Sequence, residues 1–485
     1  MIKSYILLVA LLLMNGLVEA QIPQLLTMDE VVNQAIETSY DMKVADIQLK
    51  ISEHNFAFFK TSLKPQIGLS VSLPDYINTS RGITQPNGSI LFRPISQNNA
   101  ALSLYGSQQI SYTGGTVFVQ SDLQRFDDFT SKYQSFNGIP LRVGIIQPIF
   151  GFNSIKWEQK INALSLGIAA KKINFDIENV KRTAASLFID ALLASSNLEI
   201  AITNEIINEK LVTIANERYL LGKLSMDEKL QLENALASAK LSKIQFTTQF
   251  QNRLMDLDNF LAKDYSQNDT VRLELPEPLP RLYVDEEQAV EHALANNFNL
   301  ETFAQQLIQA DRDIKKASVD NGLQMSLRAS FGLARGSTTL SDIYQDPYGE
   351  RQISVGVDIP IVNWGRKKEA VKIASLQKEL VNTQILQSKA VIVNNVKRVV
   401  QAFNVLQDEV DIQKKIMENA TQRFEISNQR YILGNIALTD LTIAQADKDR
   451  SKRDYVMSVA RYWDAYYGIR MLTSFDFVTN QKIQN

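Results

Sequence analysis

A segment of eleven residues occurs twice in this chain, and the duplication constrains the fold more than any other feature. Arg218-Tyr219-Leu220-Leu221-Gly222-Lys223-Leu224-Ser225-Met226-Asp227-Glu228 returns 212 positions later (430 − 218) as Arg430-Tyr431-Ile432-Leu433-Gly434-Asn435-Ile436-Ala437-Leu438-Thr439-Asp440. Arg, Tyr, an apolar residue, Gly and an acid six places beyond the Gly recur in register. A long repeat within 485 residues predicts a duplicated unit whose two copies fold alike.

A second register precedes the first. Val32, Ala35, Ile36, Tyr40 and Met42 match Val290, Ala293, Leu294, Phe298 and Leu300 at a spacing of 258, and Gln66-Ile67-Gly68-Leu69 matches Gln324-Met325-Ser326-Leu327 at the same spacing. Val143-Gly144-Ile145 and Pro148-Ile149 match Val355-Gly356-Val357 and Pro360-Ile361 at 212. The first copy therefore carries 258 − 212 = 46 extra residues, placed within 74–139. This insert is rich in Ser, Gly, Asn, Asp and Gln. It holds a possible hairpin, Ser103–Ser111 and Thr116–Asp122 about the turn Tyr112-Thr113-Gly114-Gly115, and reads either as an outer loop or as added strands.

Proline marks where helices can run. None occurs over 149–275 or 361–485, and both stretches are rich in Ala, Leu, Lys, Gln and Glu. Within the first, Ile173, Ile177, Val180, Ala184, Leu187, Ala191, Ala194, Leu198 and Ala201 alternate spacings of four and three. Ile385, Ile392, Val396, Val399, Phe403, Leu406 and Val410 follow the same pattern in the second, with Lys389 the one polar break. That heptad seam predicts helices packed side by side, on the order of 100 Å long, that end at Gly222 and Gly434 and return. Near-alternating strands are expected at about 66–73, 141–149, 324–333 and 352–361. The fold class is thus mixed α+β and mostly helical, with long antiparallel α-helical hairpins and short amphipathic strands.

Residues 1–20 read as an export signal, with Lys3, an apolar centre from Ile6 to Met14, and Val18-Glu19-Ala20 before Gln21. No later stretch reaches eighteen consecutive apolar residues. Two domains of duplicated structure follow, 21–275 and 283–477, joined by the proline-rich linker 276–282 and ended by a tail at 478–485. The chain has no Cys, two His and a net charge of −2, which leaves no disulfide framework, no common tetrahedral metal set and no sign of nucleic-acid binding. No phosphate loop or nucleophile elbow is present, so no cofactor and no enzymatic activity are expected.

An exported sheet in lipid must have no free edge, and membrane barrels begin at eight strands, so four strands per chain require several chains to pool them. An exported coiled-coil scaffold is the alternative that the heptads alone would allow.

Over the whole mature chain these features resemble the TolC family of outer-membrane efflux proteins. The likeness rests on the leader, the duplicated order of elements, the junctions Gln147-Pro148-Ile149-Phe150-Gly151 and Ile359-Pro360-Ile361-Val362-Asn363-Trp364-Gly365, and the turn Arg430-Tyr431-Ile432-Leu433-Gly434 followed by Asp440 and Ala444-Gln445. It implies a homotrimer with a twelve-stranded outer-membrane β-barrel and a periplasmic α-barrel. The inner end would dock with a periplasmic membrane-fusion adaptor and an inner-membrane transporter of the RND, ABC or a similar class. Arg218, Tyr219, Gly222, Arg430, Tyr431 and Gly434 would form the tip turns, and Glu228 and Asp440 an acidic pore ring. The chain departs from the pattern where the gate arginine and second acid would stand, at Ile436 and Ile443.

Overall fold

The structure, a computed structural model, describes residues 25–263 and 271–483. The leader read over 1–20 lies outside them. In chain order the helices are α1 (Met28–Thr38), α2 (Tyr40–Ser62), α3 (Ser154–Leu220), α4 (Met226–Leu261), α5 (Glu286–Asn296), α6 (Phe298–Asp320), the short α7 (Asp342–Gln345), α8 (Arg366–Ile432) and α9 (Leu438–Thr473). The strands are β1 (Leu25–Leu26), β2 (Gln66–Ser72), β3 (Tyr76–Thr84), β4 (Ile90–Gln109), β5 (Thr116–Asp128), β6 (Tyr133–Pro148), β7 (Arg272–Leu273), β8 (Gln324–Ser337), β9 (Tyr348–Asp358), β10 (Phe475–Asp476) and β11 (Gln481–Lys482).

Both sequence registers reappear as elements of equal length. Helices α1 and α2 correspond to α5 and α6 at 258 (286 − 28), and the 67-residue α3 and 36-residue α4 correspond to α8 and α9 at 212 (366 − 154). The cap residues follow: Ala262 and Ser474, also 212 apart, both adopt left-handed backbone, at φ 52° and 49°. The described residues form two compact units, each drawn from both repeats. One lies within Met1–Gln48, Lys171–Asn297 and Lys389–Asn485, the other within Leu49–Ala170 and Phe298–Ser388.

In the first unit the expected heptad seam is the core. Ile177, Val180, Ala184, Ala191 and Ala194 of α3 are buried, as are Val396, Phe403, Leu406 and Val410 of α8. One eighteen-residue stretch of α3 would suit a membrane helix by length and composition, but half of it is buried inside the structure, as in a core helix. The aromatic run near the C-terminus packs here: Phe403 stacks on Tyr462 at 5.3 Å, and Trp463 meets Tyr462 and Tyr466 edge-on at 5.5 Å. Burial pushes the Tyr462 pKa up to about 12. His292 is likewise a packing residue, stacked on Phe475 at 4.0 Å.

The linker is docked rather than free. An extended chain with prolines cannot satisfy its backbone internally, so α8 does it with side-chain amides. Gln407 accepts from Leu282 N and donates to Leu282 O (2.8 and 2.7 Å), and Asn404 treats Val284 the same way (3.1 and 2.9 Å).

A buried ionic cluster ties α3 to α9. Glu178 is 0 % exposed and accepts from Lys181 Nζ at 2.6 Å and Arg470 Nε at 2.8 Å, while Arg470 also reaches Asp476 and the Tyr466 hydroxyl. Burial by itself would lower the Arg470 pKa, but its bonds to Glu178 and the neighbouring negative charges raise it, so the guanidinium stays charged. Removing one member leaves the others desolvated without compensation. Arg470→Met is expected to cost about 3–5 kcal/mol, read by denaturant unfolding of the helical circular-dichroism signal. A loss under 1 kcal/mol would mean that the cluster is not a buried ion pair in solution.

The second unit holds one seven-stranded antiparallel sheet in the order β2-β4-β5-β6-β8-β9, with β3 also paired to β4. Strands β2 and β3 pair with successive parts of β4, Gln66–Ser72 against Ala101–Ser107 and Tyr76–Thr84 against Ile90–Asn98, so they make a single interrupted pass. The sheet thus has six passes, not the four counted from the apolar runs alone. The insert within 74–139 supplies β3, β4, β5 and the start of β6, inside the sheet between β2 and β6. Its expected hairpin is present with longer strands. Ile110 N donates to Gly115 O at 2.7 Å, and Gly114 sits at φ 74°, where a side chain would be strained.

Candidate channel wall and helical tip

The register makes the sheet two-faced, because residues directly opposite one another share a face. One row of partners runs Ile67, Gly106, Val119, Val143, Phe331 and Arg351 across all six passes. Its neighbours on the same face include Leu69, Val71, Leu102, Leu104, Val117, Ile353 and Val355, all exposed in the single chain; Ile353 and Ile67 are each 80 % exposed. The adjacent row on the other face reads Gly68, Tyr105, Gln120, Arg142, Gly332 and Glu350.

The polar face is built by pairing across glycine. Arg142 Nη2 donates to both oxygens of Glu350 at 2.8 and 2.7 Å, straddling the intervening Gly332. A Cβ at 332 would lie 2.7 Å from Leu141 O and 3.1 Å from Arg142 Cβ. Tyr105 covers Gly68, and Phe118 covers Gly144, where a Cβ would lie 2.5 Å and 2.6 Å from the respective rings. Phe118 therefore belongs to the polar face, whereas Phe129, Tyr133, Phe150 and Trp364 are exposed near strand ends. A sheet with one continuous apolar face, one polar face and two unpaired edges fits a membrane wall around water. Sequence reading missed Arg142 and Glu350 because their repeat-related positions carry no matching charge; only the strand register brings them together.

At the tip, the two repeated turns have the same backbone. Gly222 (φ 68°) donates to Tyr219 O at 2.9 Å and Lys223 N to Arg218 O at 2.8 Å; Gly434 (φ 79°) donates to Tyr431 O at 2.9 Å and Asn435 N to Arg430 O at 2.8 Å. Both glycines are thus helix-ending left-handed residues.

The side chains break the symmetry. Arg218 donates to Ile432 O at 2.6 Å and Tyr431 O at 3.4 Å, and lies 5.8 Å over the Tyr431 ring. Its cation therefore meets the carbonyl end of α8. Tyr431 is 5 % exposed among Leu211, Leu232, Phe424 and Leu441, and burial raises its pKa. Tyr219 is 39 % exposed beneath Lys229, and Arg430 is exposed with no partner among the described residues. Ile436 packs onto the tip cluster, and Ile443 is 47 % exposed.

The two acids differ as well. Glu228 closes a capping box with Ser225, accepting from its backbone N–H at 3.4 Å and its hydroxyl at 3.2 Å. Asp440 occupies the same helical position behind Ala437, which offers no capping hydrogen bond, and its carboxylate is exposed. Further along the helices a polar layer went unnoticed in sequence. Asn204 donates to Asp449 at 2.6 Å and accepts from Gln445 at 2.8 Å, beside a cavity of about 340 Å³.

Residues 289–472 match the family described as outer membrane efflux protein. The match spans most of the second repeat, which is therefore related to that family. Among solved structures it is similar to the CmeC outer membrane channel of Campylobacter jejuni (TM-score 0.68, 14 % identity, 93 % of this chain and 88 % of that one). It is also similar to the outer membrane protein VceC of Vibrio cholerae (0.64, 13 %, 93 % and 96 %) and to the open state of the MtrE outer membrane channel of Neisseria gonorrhoeae (0.59, 13 %, 92 % and 88 %). At these identities the likeness shows the fold, here over nearly the full chain. A search of curated sequences finds no match. A channel component of the outer membrane is what that family description indicates for the matched repeat.

The two faces predict opposite tolerances at adjacent positions. Leu69→Arg, on the apolar face, should cost about 2–4 kcal/mol at mid-wall and deplete the chain from the outer membrane, while Ser70→Arg, on the polar face, should assemble normally. Quantitative blotting of outer-membrane fractions checks this; equal levels of the two variants would contradict the assignment of faces.

Proposed function

We propose that three copies of this chain form an exit duct, conducting substrates passively from a periplasmic adaptor and an inner-membrane pump to the exterior. The observation that carries the proposal is the two-faced sheet with open edges, which no single chain can close in lipid. The scaffold alternative would leave the exposed apolar face of the sheet without a purpose. Carbonate washing distinguishes the readings, since a scaffold is released into the soluble fraction and a duct stays in the membrane.

The tip residues Arg218, Tyr219, Gly222, Arg430, Tyr431 and Gly434 supply the end that meets the adaptor. The unequal use of the two arginines supports a ring of copies. Arg218 covers the end of α8 in its own chain, and the matching acceptors for Arg430 are the carbonyls of Tyr219 and Leu220, at the end of α3 (431 − 212 and 432 − 212). Leu220 is 84 % exposed there. In a cyclic assembly α8 of one copy lies beside α3 of the next, and Arg430 completes between chains the contact that Arg218 makes within one. Arg430→Ala should then lower the heat resistance of the oligomer on semi-native gels without changing the unfolding of the separated chain. Arg218→Ala should destabilise the chain itself.

Glu228 and Asp440 form the acidic ring of the narrow end, with Asp440 the more available of the two because Glu228 is held by Ser225. Three carboxylates around one constriction favour cations. In planar bilayers, Glu228→Ala combined with Asp440→Ala should abolish cation preference, with Asp440→Ala alone responsible for most of the change. Unaltered selectivity in the double variant would remove both residues from the pore.

A further inference from the structure

We propose that the barrel of this duct has eighteen strands, six from each of three copies, and that the inserted β4–β5 hairpin is part of its membrane wall. The inference rests on the trimeric channel reading and deepens it. A twelve-stranded barrel is what the family resemblance implies; this chain departs from it because its sheet has six continuous passes.

Three observations carry the step. First, β4 and β5 are central strands. Thirteen residue pairs join them, from Gln97↔Asp128 to Gln109↔Thr116, and β4 separates β2 from β5 along its other edge. An appended loop would leave β2 and β6 as neighbours, and they are not. Second, the hairpin has the same sidedness as the rest of the sheet. Leu102, Leu104, Val117 and Val119 continue the exposed apolar face between Ile67–Val71 on one side and Leu141–Val143 on the other. Such a face on an outer loop would be apolar surface in water, whereas in a wall it meets lipid.

Third, the open edges suit one occupant, a second copy of this chain. The outer edge of β2 begins at Gln66, next to the end of α2, and β9 ends at Asp358, just before α8. The passes alternate in direction across the sheet, so β9 of one copy meets β2 of the next antiparallel, as every internal pair already does. That junction places Ile353, Val355 and Val357 beside Ile67, Leu69 and Val71, and the apolar face continues around the ring. The total is even, as an antiparallel barrel requires.

The consequence is a wider opening. At a strand spacing of about 4.8 Å and a tilt of about 40°, eighteen strands give a barrel of roughly 18 Å Cα radius, against roughly 12 Å for twelve. The wall then resembles a general porin in calibre, lined by the row of Tyr105, Gln120 and the Arg142–Glu350 pair. Large hydrated substrates, including an extended polypeptide, would pass this level. Selection would fall to the helical tip.

Counting strands by cryo-electron microscopy of the detergent-solubilised oligomer tests this. Eighteen strands in the transmembrane ring are expected. Twelve, whether from two copies of six or from three of four with the β4–β5 hairpin outside, would overturn it. The absence of any ring would instead overturn the channel reading itself. A variant supplies the independent arm: Leu104→Arg should reduce heat-resistant oligomer in the outer membrane at least tenfold, as Leu69→Arg does. Wild-type levels for Leu104→Arg alongside loss for Leu69→Arg would place the hairpin outside the wall and overturn the inference while leaving the channel intact.

Discussion

The rest of this structure depends on backbone hydrogen bonding at the two edges of one sheet. A strand edge presents unpaired N–H and C=O groups, and in hydrocarbon each costs several kcal/mol. The sheet of six passes has an apolar face suited to lipid and no way to bring its own edges together below eight strands. In the proposed duct, assembly is therefore part of the fold. The polar face follows from the same requirement, because the side away from lipid must be able to face water. There the glycines at 68, 144 and 332 let Tyr105, Phe118 and the Arg142–Glu350 pair lie flat across the strands.

Duplication produced equal backbones and unequal chemistry. The four long helices match in length to the residue, and the tip turns share their hydrogen bonds. Yet Arg218 meets the carbonyl end of α8 while Arg430 has no partner among the described residues, Tyr431 is buried while Tyr219 is not, and Glu228 is held in a capping box that Asp440 lacks. One difference has a visible cause: Ser225 is replaced by Ala437 in the second copy, and the hydroxyl that would engage the acid is gone.

Much of this was legible in the sequence. The heptad positions from Ile177 to Ala194 are the buried seam, the proline-free windows hold the long helices, and Gly222 and Gly434 end them. Such features are local or periodic, so spacing alone reveals them. The insert was visible as an arithmetic difference of 46 residues but not as wall, since alternation over β4 is weak where Tyr105, Gly106 and Ser107 interrupt it. Its pairing partners lie elsewhere in the chain and have no sequence mark.

The sequence by itself determined the duplication, the helix lengths, the turns and the apolar periodicity, because each is a property of residues near one another along the chain. Tertiary structure decided the rest. It placed β4 and β5 inside the sheet, set Arg142 across Gly332 onto Glu350, docked the linker on Asn404 and Gln407, and buried Glu178 with Arg470. These contacts join residues 120 to 292 positions apart or depend on which strand lies beside which. Their energy comes from desolvation and pairing in three dimensions, and no local spacing encodes it.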